Sequence, residues 1–433
     1  MKRPIKFLIT SLTICVICSS CNTYESPVTP VVVKTNPFKV TLNPQTTYQS
    51  ISGFGGANRM WGNQSLKPTE ATKAFGLGEN ELGLSILRVR LSSNKNEWPI
   101  IIEAVKEANK HGVKVLASPW SPPAALKSNN SDVRGYLLPE NYKVFKDYIN
   151  EFLAYTNQNG AKIDVVSIQN EPDWKPTYES CDYTSDDFIN FLKAPGQIIG
   201  AKVAAPESLN FNQNMTNAIL SDDVAAKSID IVAGHIYGGG LAPFPLAVQK
   251  NKEVWMTEFL LNLNTGNAGA AAWSTYTESA KWEESLKMLV SVHDAMNNNW
   301  NAYVWWYLQR YYSFIGDGEQ NTVNGEVLKR GYAFAHFSKF IRPGFMRFGV
   351  EVPNNNYLKI TAYRKDNQSV IVVINPESFV IKTVQLNGLT IKSATTYQTT
   401  ENVTLNKMTL PVSNNVVEMD IPAKSVTTII INN

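Results

Sequence analysis

Two glutamates stand where chemistry could be done. Glu171 follows the apolar run Val165-Val166-Ser167-Ile168, and Glu258 follows Val254-Trp255-Met256. Runs of this kind form buried strands, so each carboxylate would be delivered at a strand end rather than on a solvated face. Two carboxylates facing one pocket suit glycoside hydrolysis, in which one protonates the leaving oxygen while the other attacks the anomeric carbon. The neighbouring runs end in side chains able to hold a sugar: Arg88 and Arg90, Trp120, Asn170, His235 and Tyr237, and Trp305, Trp306 and Tyr307. Aromatic faces offer apolar area with a polar edge, and guanidinium groups hold carboxylates. Either glutamate alone reads equally as a rim residue in a salt bridge. Together they read as a catalytic pair.

Rival chemistries lack a comparable set. There is no G-x-S-x-G elbow, no H-E-x-x-H and no cysteine pair for zinc. The four histidines, His111, His235, His293 and His336, are scattered, and the last two lie in helical patterns that suit packing. Cys181 has no histidine beside it and reads as an inert thiol. The chemistry requires neither a metal nor an organic cofactor.

The elements that must position this pair alternate regularly. Eight short apolar runs are separated by helical patterns: Ile51–Gly56, Leu84–Leu91, Lys114–Trp120, Asp164–Glu171, Ala201–Glu207, Ile229–Tyr237, Glu253–Phe259 and Ala302–Leu308. Amphipathic helices are predicted at Pro99–His111, Asn141–Thr156 and Trp282–Met296. Eight strands with intervening helices predict a (β/α)8 TIM barrel over 51–344, with chemistry at the C-terminal ends of its strands. Gly53-Phe54-Gly55-Gly56 lacks the spacing of a phosphate-binding loop, which argues against an open doubly wound sheet. All ten Trp lie between Trp61 and Trp306. From about residue 345 the chain turns to alternating β segments, among them Tyr357–Arg364, Ser369–Asn375, Phe379–Leu386 and Val426–Ile431. Residues 345–433 therefore predict an all-β side domain, and 38–50, of the same character, would add a strand to it. Asn387-Gly388 is a hairpin signal between two of these segments.

The N-terminus is a targeting segment. Lys2, Arg3 and Lys6 precede an apolar run from Phe7 to Ile17, too short to span a bilayer, which ends at Cys18-Ser19-Ser20-Cys21. Residues 1–21 predict a lipoprotein-type signal peptide with Cys21 acylated, and 22–37, with Pro27, Pro30 and Pro37, a tether. The membrane would then be a partner only through that anchor. The net charge of +3 resides in this segment; the remainder carries as many basic as acidic residues, 37 of each. A neutral body excludes nucleic acid as a partner. With Cys181 the one internal cysteine, no disulfide framework is available, and the chain is expected to act as a monomer.

Several segments carry a resemblance to glycoside hydrolase family 30 of clan A, particularly its bacterial glucuronoxylanase subfamily. They are Gly53-Phe54-Gly55-Gly56, Ser85-Ile86-Leu87-Arg88, Ser118-Pro119-Trp120-Ser121-Pro122-Pro123, Asn170-Glu171-Pro172, His235-Ile236-Tyr237-Gly238, Trp255-Met256-Thr257-Glu258, Tyr303-Val304-Trp305-Trp306-Tyr307 and Lys329-Arg330-Gly331-Tyr332 with Ala335-His336-Phe337-Ser338-Lys339-Phe340. The resemblance runs from about residue 38 to the C-terminus. It implies a retaining mechanism on a barrel with a β-sandwich side domain completed by the N-terminal strand. It also implies Glu171 as general acid/base, Glu258 as nucleophile, and Asn170 bonded to the 2-hydroxyl of the attacked sugar. Arg88 and Tyr237 would hold Glu258 ionised, with His235 in support, and Trp120 and Trp305 would wall the subsites.

In that subfamily an Arg and a Tyr after the Trp-Trp-Tyr strand bind the carboxylate of a methylglucuronic acid branch on xylan, and Arg310 and Tyr312 stand at those positions. The departure is on strand seven, where Glu258-Phe259-Leu260-Leu261 replaces the family's Glu-Val-Tyr-Tyr, so Leu260 takes the place of a branch-binding tyrosine. The loop Asn262–Ala272 also differs. The alternative for Arg310 is a salt bridge with Asp317 or Glu319. The reading is thus an exported, lipid-anchored, retaining endo-β-1,4-xylanase on glucuronoxylan, with a xylan-type polysaccharide as its partner. Two others stay open: unbranched or arabinose-decorated xylan as substrate, and a non-catalytic glycan-binding lipoprotein. A pure binder has no need of the acid/base pair.

Overall fold

The chain enters its folded body through β1 (Phe38–Ser50), which belongs to the side domain, and then lays down eight parallel strands. These are β2 (Gly53–Ala57), β3 (Ile86–Leu91), β4 (Lys114–Pro119), β5 (Val165–Ser167), β6 (Lys202–Ser208), β7 (Ile231–His235), β8 (Glu253–Glu258) and β9 (Ala302–Trp305). Each pairs with the next, and β9 returns to β2, closing the barrel. The computed structural model describes residues 36–62, 65–263, 271–353 and 357–433. The predicted signal with Cys21, and nearly all of the predicted tether, lie outside these. Among the described residues no helix is long and apolar enough to cross a membrane.

Strand alternation decides what faces the barrel axis. Ile86, Leu116, Val165, Ala204, Ile231, Ala233, Trp255, Ala302 and Val304 fill the interior as one apolar cluster. The residues between them, such as Leu87, Val115, Val166, Val232, Val254 and Tyr303, face the surrounding helices. Two positions beyond Ile86, Leu116, Val165 and Ala233 the same periodicity places Arg88, Ser118, Ser167 and His235, all fully buried. The polar layer under the barrel mouth is therefore built by strands whose apolar neighbours lock them in place. The three predicted helices form as Ile102–Lys110, Tyr142–Gln158 and Glu278–Asn297, the first preceded by a 3-10 turn that contains Pro99.

The side domain is a ten-stranded sheet. Its strands are β1 with β10 (Met346–Glu351), β11 (Lys359–Lys365), β12 (Gln368–Asn375), β13 (Ile381–Asn387), β14 (Ser393–Thr399), β15 (Asn406–Leu410), β16 (Val412–Ser413), β17 (Val416–Ile421) and β18 (Ser425–Asn432). β1 pairs antiparallel with β10 and parallel with β13. The sheet folds on itself, so Val40, Leu42, Val384, Leu386 and Val417 pack in one core with Ile360, Ile371, Val373, Ile429 and Ile431. Asn387-Gly388 does not make the predicted hairpin, because β13 pairs with β1 and β17 while β14 pairs with β15 and β18. Gly388, at φ 95°, passes so close to β1 that a Cβ would lie 2.2 Å from the Leu42 carbonyl oxygen. Close approach, rather than a two-residue turn, requires that glycine. His336, on helix Lys329–Ser338, bridges to the side domain with Nδ1 2.8 Å from Thr428 Oγ1 and Nε2 2.8 Å from Thr399 Oγ1. Burial holds it neutral, at about 3, which suits a packing residue.

Candidate active site

Glu258 is the last residue of β8, and Glu171 lies in the loop after β5. Glu171 is held in a left-handed backbone conformation, φ 45°. Its amide donates to the Glu207 carbonyl at 3.0 Å, and the amide of Asn170 donates to that of Pro119 at 2.8 Å. Gln169 braces the same turn, its Nε2 donating to the carbonyls of Trp120 (2.7 Å) and Asn170 (2.8 Å). A non-glycine residue pays for this geometry by roughly 1–3 kcal/mol, and it persists only where surrounding bonds over-determine it. Here they do, and the carboxylate is aimed across the barrel mouth.

Each glutamate has its own partners in one connected cluster. Arg88 Nη1 donates to Glu258 Oε2 at 2.5 Å, Nη2 donates to Asn170 Oδ1 at 2.6 Å, and Nε donates to Ser118 Oγ at 3.2 Å. The Tyr237 hydroxyl donates to Glu258 Oε1 at 2.9 Å. His235 Nδ1 lies 2.9 Å from Glu171 Oε1. One oxygen of Glu171, one of Glu258 and a ring nitrogen of His235 all lie within 4.8 Å of one another. That trio has the donor types of a cation site, but the Arg88 guanidinium and the Tyr237 hydroxyl already occupy the two oxygens of Glu258. A fixed positive charge on a would-be ligand opposes a metal.

Burial dominates the electrostatics. It raises the Glu258 carboxyl above the ordinary 4.5; Glu171 adds to the rise, and His235 and Arg88 oppose it. The net depression that the Arg88 contact would give by itself is therefore outweighed. Burial also disfavours a charged His235, yet Glu258, Glu171 and Glu207 together push it up to about 9. Glu207 is fully buried, and burial alone would raise it, but Arg88 and His235 bring it down to about 2. Arg88, His235 and Glu207 thus hold charges of both signs, fully buried beneath the pair.

Above the pair opens a groove of about 810 Å³, lined by Trp61, Trp120, Glu171, Trp174, Tyr178, Leu209, Tyr237, Glu258, Leu260 and Trp306. Trp120 packs edge-on against Trp61 (centroids 5.3 Å) and tilted against Trp306 (6.2 Å), with the Arg88 guanidinium 4.8 Å from its ring. Trp305, read from the sequence as a wall, is instead wholly buried, stacked on Phe314 and edge-on to Phe259. Strand alternation turns it toward the helices together with Tyr303 and leaves the next residue, Trp306, to line the groove. Tyr312 is buried, packed edge-on against Tyr311. Arg310 is paired with Asp317 Oδ2 and Glu319 Oε1, each at 3.0 Å. Leu260 lines the groove. Cys181 is buried, its thiol pushed up to about 12 by burial.

Sequence reading passed over Glu207, Trp61, Trp174 and Tyr178. Glu207 carried the same signal as the other two glutamates, a carboxylate closing an apolar run. The other three lie in loops, where no periodicity marks a direction.

Residues 79–323 match the family model described as the glycosyl hydrolase family 30 TIM-barrel domain. The chain is similar to glucuronoxylanase XynC of Bacillus subtilis strain 168, at 35% identity over 91% of this chain and 92% of that protein. Among solved structures it is similar to the family 30 subfamily 8 xylanase Xyn30A from Clostridium acetobutylicum. The TM-score is 0.80 at 30% identity, covering 91% of this chain and 100% of that one. A family 30 endoxylanase from Clostridium papyrosolvens C71 gives 0.77 at 29% identity, with the same coverage.

Proposed function

The chain belongs to glycoside hydrolase family 30, and from that premise we propose that it is a retaining endo-β-1,4-xylanase acting on glucuronoxylan. Glu258 is the nucleophile and Glu171 the acid/base. The observation that carries this reading is the spacing of the pair: carboxylate oxygens within 4.8 Å of each other suit the close spacing of a retaining pair, about 5–5.5 Å, rather than the roughly 6.5–9.5 Å of an inverting one. The aromatic groove and the relatives named glucuronoxylanase and xylanase support the substrate class.

In the first step Glu258 attacks the anomeric carbon while Glu171 gives its proton to the departing glycosidic oxygen. In the second, Glu171 takes a proton from water, which attacks the same carbon and releases Glu258. Arg88 and Tyr237 orient the nucleophile through both of its oxygens. With Oδ1 held by Arg88, Asn170 offers its amide nitrogen to the 2-hydroxyl of the attacked sugar. Trp120 and Trp306 form the walls on which sugar rings stack.

Arg310 and Tyr312 read the glucuronate branch in this proposal. A second reading, unbranched or arabinose-decorated xylan, is favoured by the pairing of Arg310 with Asp317 and Glu319 and by the apolar Leu260 in the groove. Product profiles on glucuronoxylan and on arabinoxylan decide between them: products that all carry a branch at a fixed position support the first, and equal cleavage of both polymers supports the second. We further propose export as a monomer with a lipid anchor at Cys21. Cys21→Ala should then move the protein from the membrane fraction to the soluble one, and an unchanged distribution would remove the anchor.

A further inference from the structure

Glu207 lies beneath both candidate catalytic glutamates and reaches neither with its side chain. Between β6 and β7 the register jumps from Pro206↔Ala233 to Ser208↔Gly234, so Glu207 is an extra residue in a bulge, at φ 58°. Bulges next to active sites re-aim a side chain. This one turns a carboxylate into the polar layer on the barrel axis, fully buried. One of its oxygens, Oε1, serves three strands: it accepts from Ser118 Oγ at 3.1 Å, pairs with Arg88 Nη2 at 3.2 Å, and faces His235 Nε2 at 3.8 Å. Its backbone carbonyl holds the amide of Glu171.

We propose that Glu207 is a positioning residue whose fixed negative charge keeps the proton on Nε2 of His235 and so leaves Nδ1 to share the working proton of Glu171. The inference rests on the reading of Glu171 and Glu258 as the catalytic pair. An imidazole has two nitrogens, and a charge facing one of them selects the tautomer. The last contact is an ion-pair distance, and such contacts tighten when substrate closes a site. Ser167 also faces Glu207, and His235 is faced by Glu171, Glu258 and Tyr237 as well. Arg88 balances Glu207 on one side and Glu258 on the other, so the charge of Glu207 also tempers how strongly Arg88 holds Glu258 ionised.

Glu207→Gln keeps the shape and removes the charge. Loss of a buried negative charge makes every neighbouring proton easier to lose, so both limbs of the pH profile of kcat/KM should move to lower pH, by about one unit. Glu207→Asp retains the charge, and its limbs should stay at the wild-type positions even where kcat falls. Limbs that stay put in Glu207→Gln, or that move equally in Glu207→Asp, would overturn the proposal. A merely structural Glu207 would lower activity without moving them. Should Glu207→Gln fail to fold, nitrogen NMR of the wild-type imidazoles, with His235 assigned by the signal lost in His235→Asn, gives a second test. A proton on Nε2 from pH 5 to 8 is expected, and a neutral Nδ1–H tautomer would overturn the assignment. Glu171→Gln and Glu258→Gln are measured alongside: if these remain active, the reading of the pair has failed, and if they are inactive while the Glu207→Gln limbs stand still, only the role of Glu207 has.

Discussion

Arg88 and Glu258 meet at 2.5 Å on the floor of the groove, with the Arg88 side chain wholly shut off from water and that of Glu258 nearly so. The same guanidinium is 3.2 Å from Glu207, so one cation compensates two buried carboxylates. A buried pair adds little stability over an apolar replacement, but removing one partner leaves an uncompensated charge and costs about 3–5 kcal/mol. Arg88→Ala should lose that much in urea unfolding, and also lose turnover. A loss under 1 kcal/mol would mean that the carboxylates find other compensation.

Turnover should vanish in Glu258→Gln and in Glu171→Gln while thermal unfolding stays within a few degrees of wild type. The wild-type enzyme should release product with its anomeric configuration retained, seen by proton NMR in the first minutes of reaction. Inverted product would sink the double displacement, whatever the variants do.

The two pKa directions at the site fix the shape of the pH dependence. Nucleophilic attack needs ionised Glu258, whose pKa is raised by burial. Activity is therefore lost as pH falls through a value above 4.5, and the acidic limb of kcat/KM should lie higher than that of an exposed glutamate. On the other side, His235, 2.9 Å from Glu171, keeps its proton toward about 9. For stability the sign follows from the same shift. The folded value for His235 exceeds the ordinary 6.5, so its contribution is fully present below 6.5 and lost as pH rises through about 9. Melting temperature should fall across that window in wild type and fall less in His235→Gln.

The two neighbouring tryptophans should separate cleanly. Trp306 lines the groove and Trp305 is wholly buried. Trp306→Ala removes an aromatic contact worth about 0.5–1.5 kcal/mol, which is roughly a 2- to 12-fold rise in KM with little loss of stability. Trp305→Ala opens a core cavity and should cost about 3–5 kcal/mol in unfolding free energy. The reverse pattern would show that the strand presents its other face to the substrate.

That pair also shows what a sequence can and cannot carry. The barrel was legible because eight short apolar runs alternate with helical patterns, and Glu171 and Glu258 stood out because they close such runs. Trp305 and Trp306 differ by one position, which is half a period, and the phase at a strand end is set by pairing rather than by residue type. Glu207 closes its run just as Glu171 and Glu258 do, but the direction of its side chain depends on a bulge, an extra residue that alternation cannot count. Asn387-Gly388 resembled a hairpin because local turn chemistry says nothing of which strands pair. Asp317 and Glu319 were visible as possible partners of Arg310, but only folding of that loop brings both within 3.0 Å.

Arg310 therefore carries the most exposed prediction. Its side chain is 27% exposed and engaged by two carboxylates, of which Asp317 also binds Arg59 at 2.8 Å. Asp317 is buried but keeps Arg59 as its partner, and the pair with Glu319 is exposed and worth at most about 1 kcal/mol, so Arg310→Ala should leave stability nearly unchanged. A charge-assisted bond from Arg310 to a glucuronate branch would instead be worth about 1.5–3 kcal/mol. At about 1.4 kcal/mol per tenfold, that is roughly 10- to 150-fold in kcat/KM. The branch must share Arg310 with Asp317 and Glu319, and Leu260 supplies no hydroxyl, which places the effect at the lower end. Arg310→Ala should slow cleavage of glucuronoxylan about tenfold and barely change that of undecorated xylo-oligosaccharides. Equal losses on both substrates, or none on either, would assign Arg310 wholly to its loop and make the enzyme indifferent to the acidic branch.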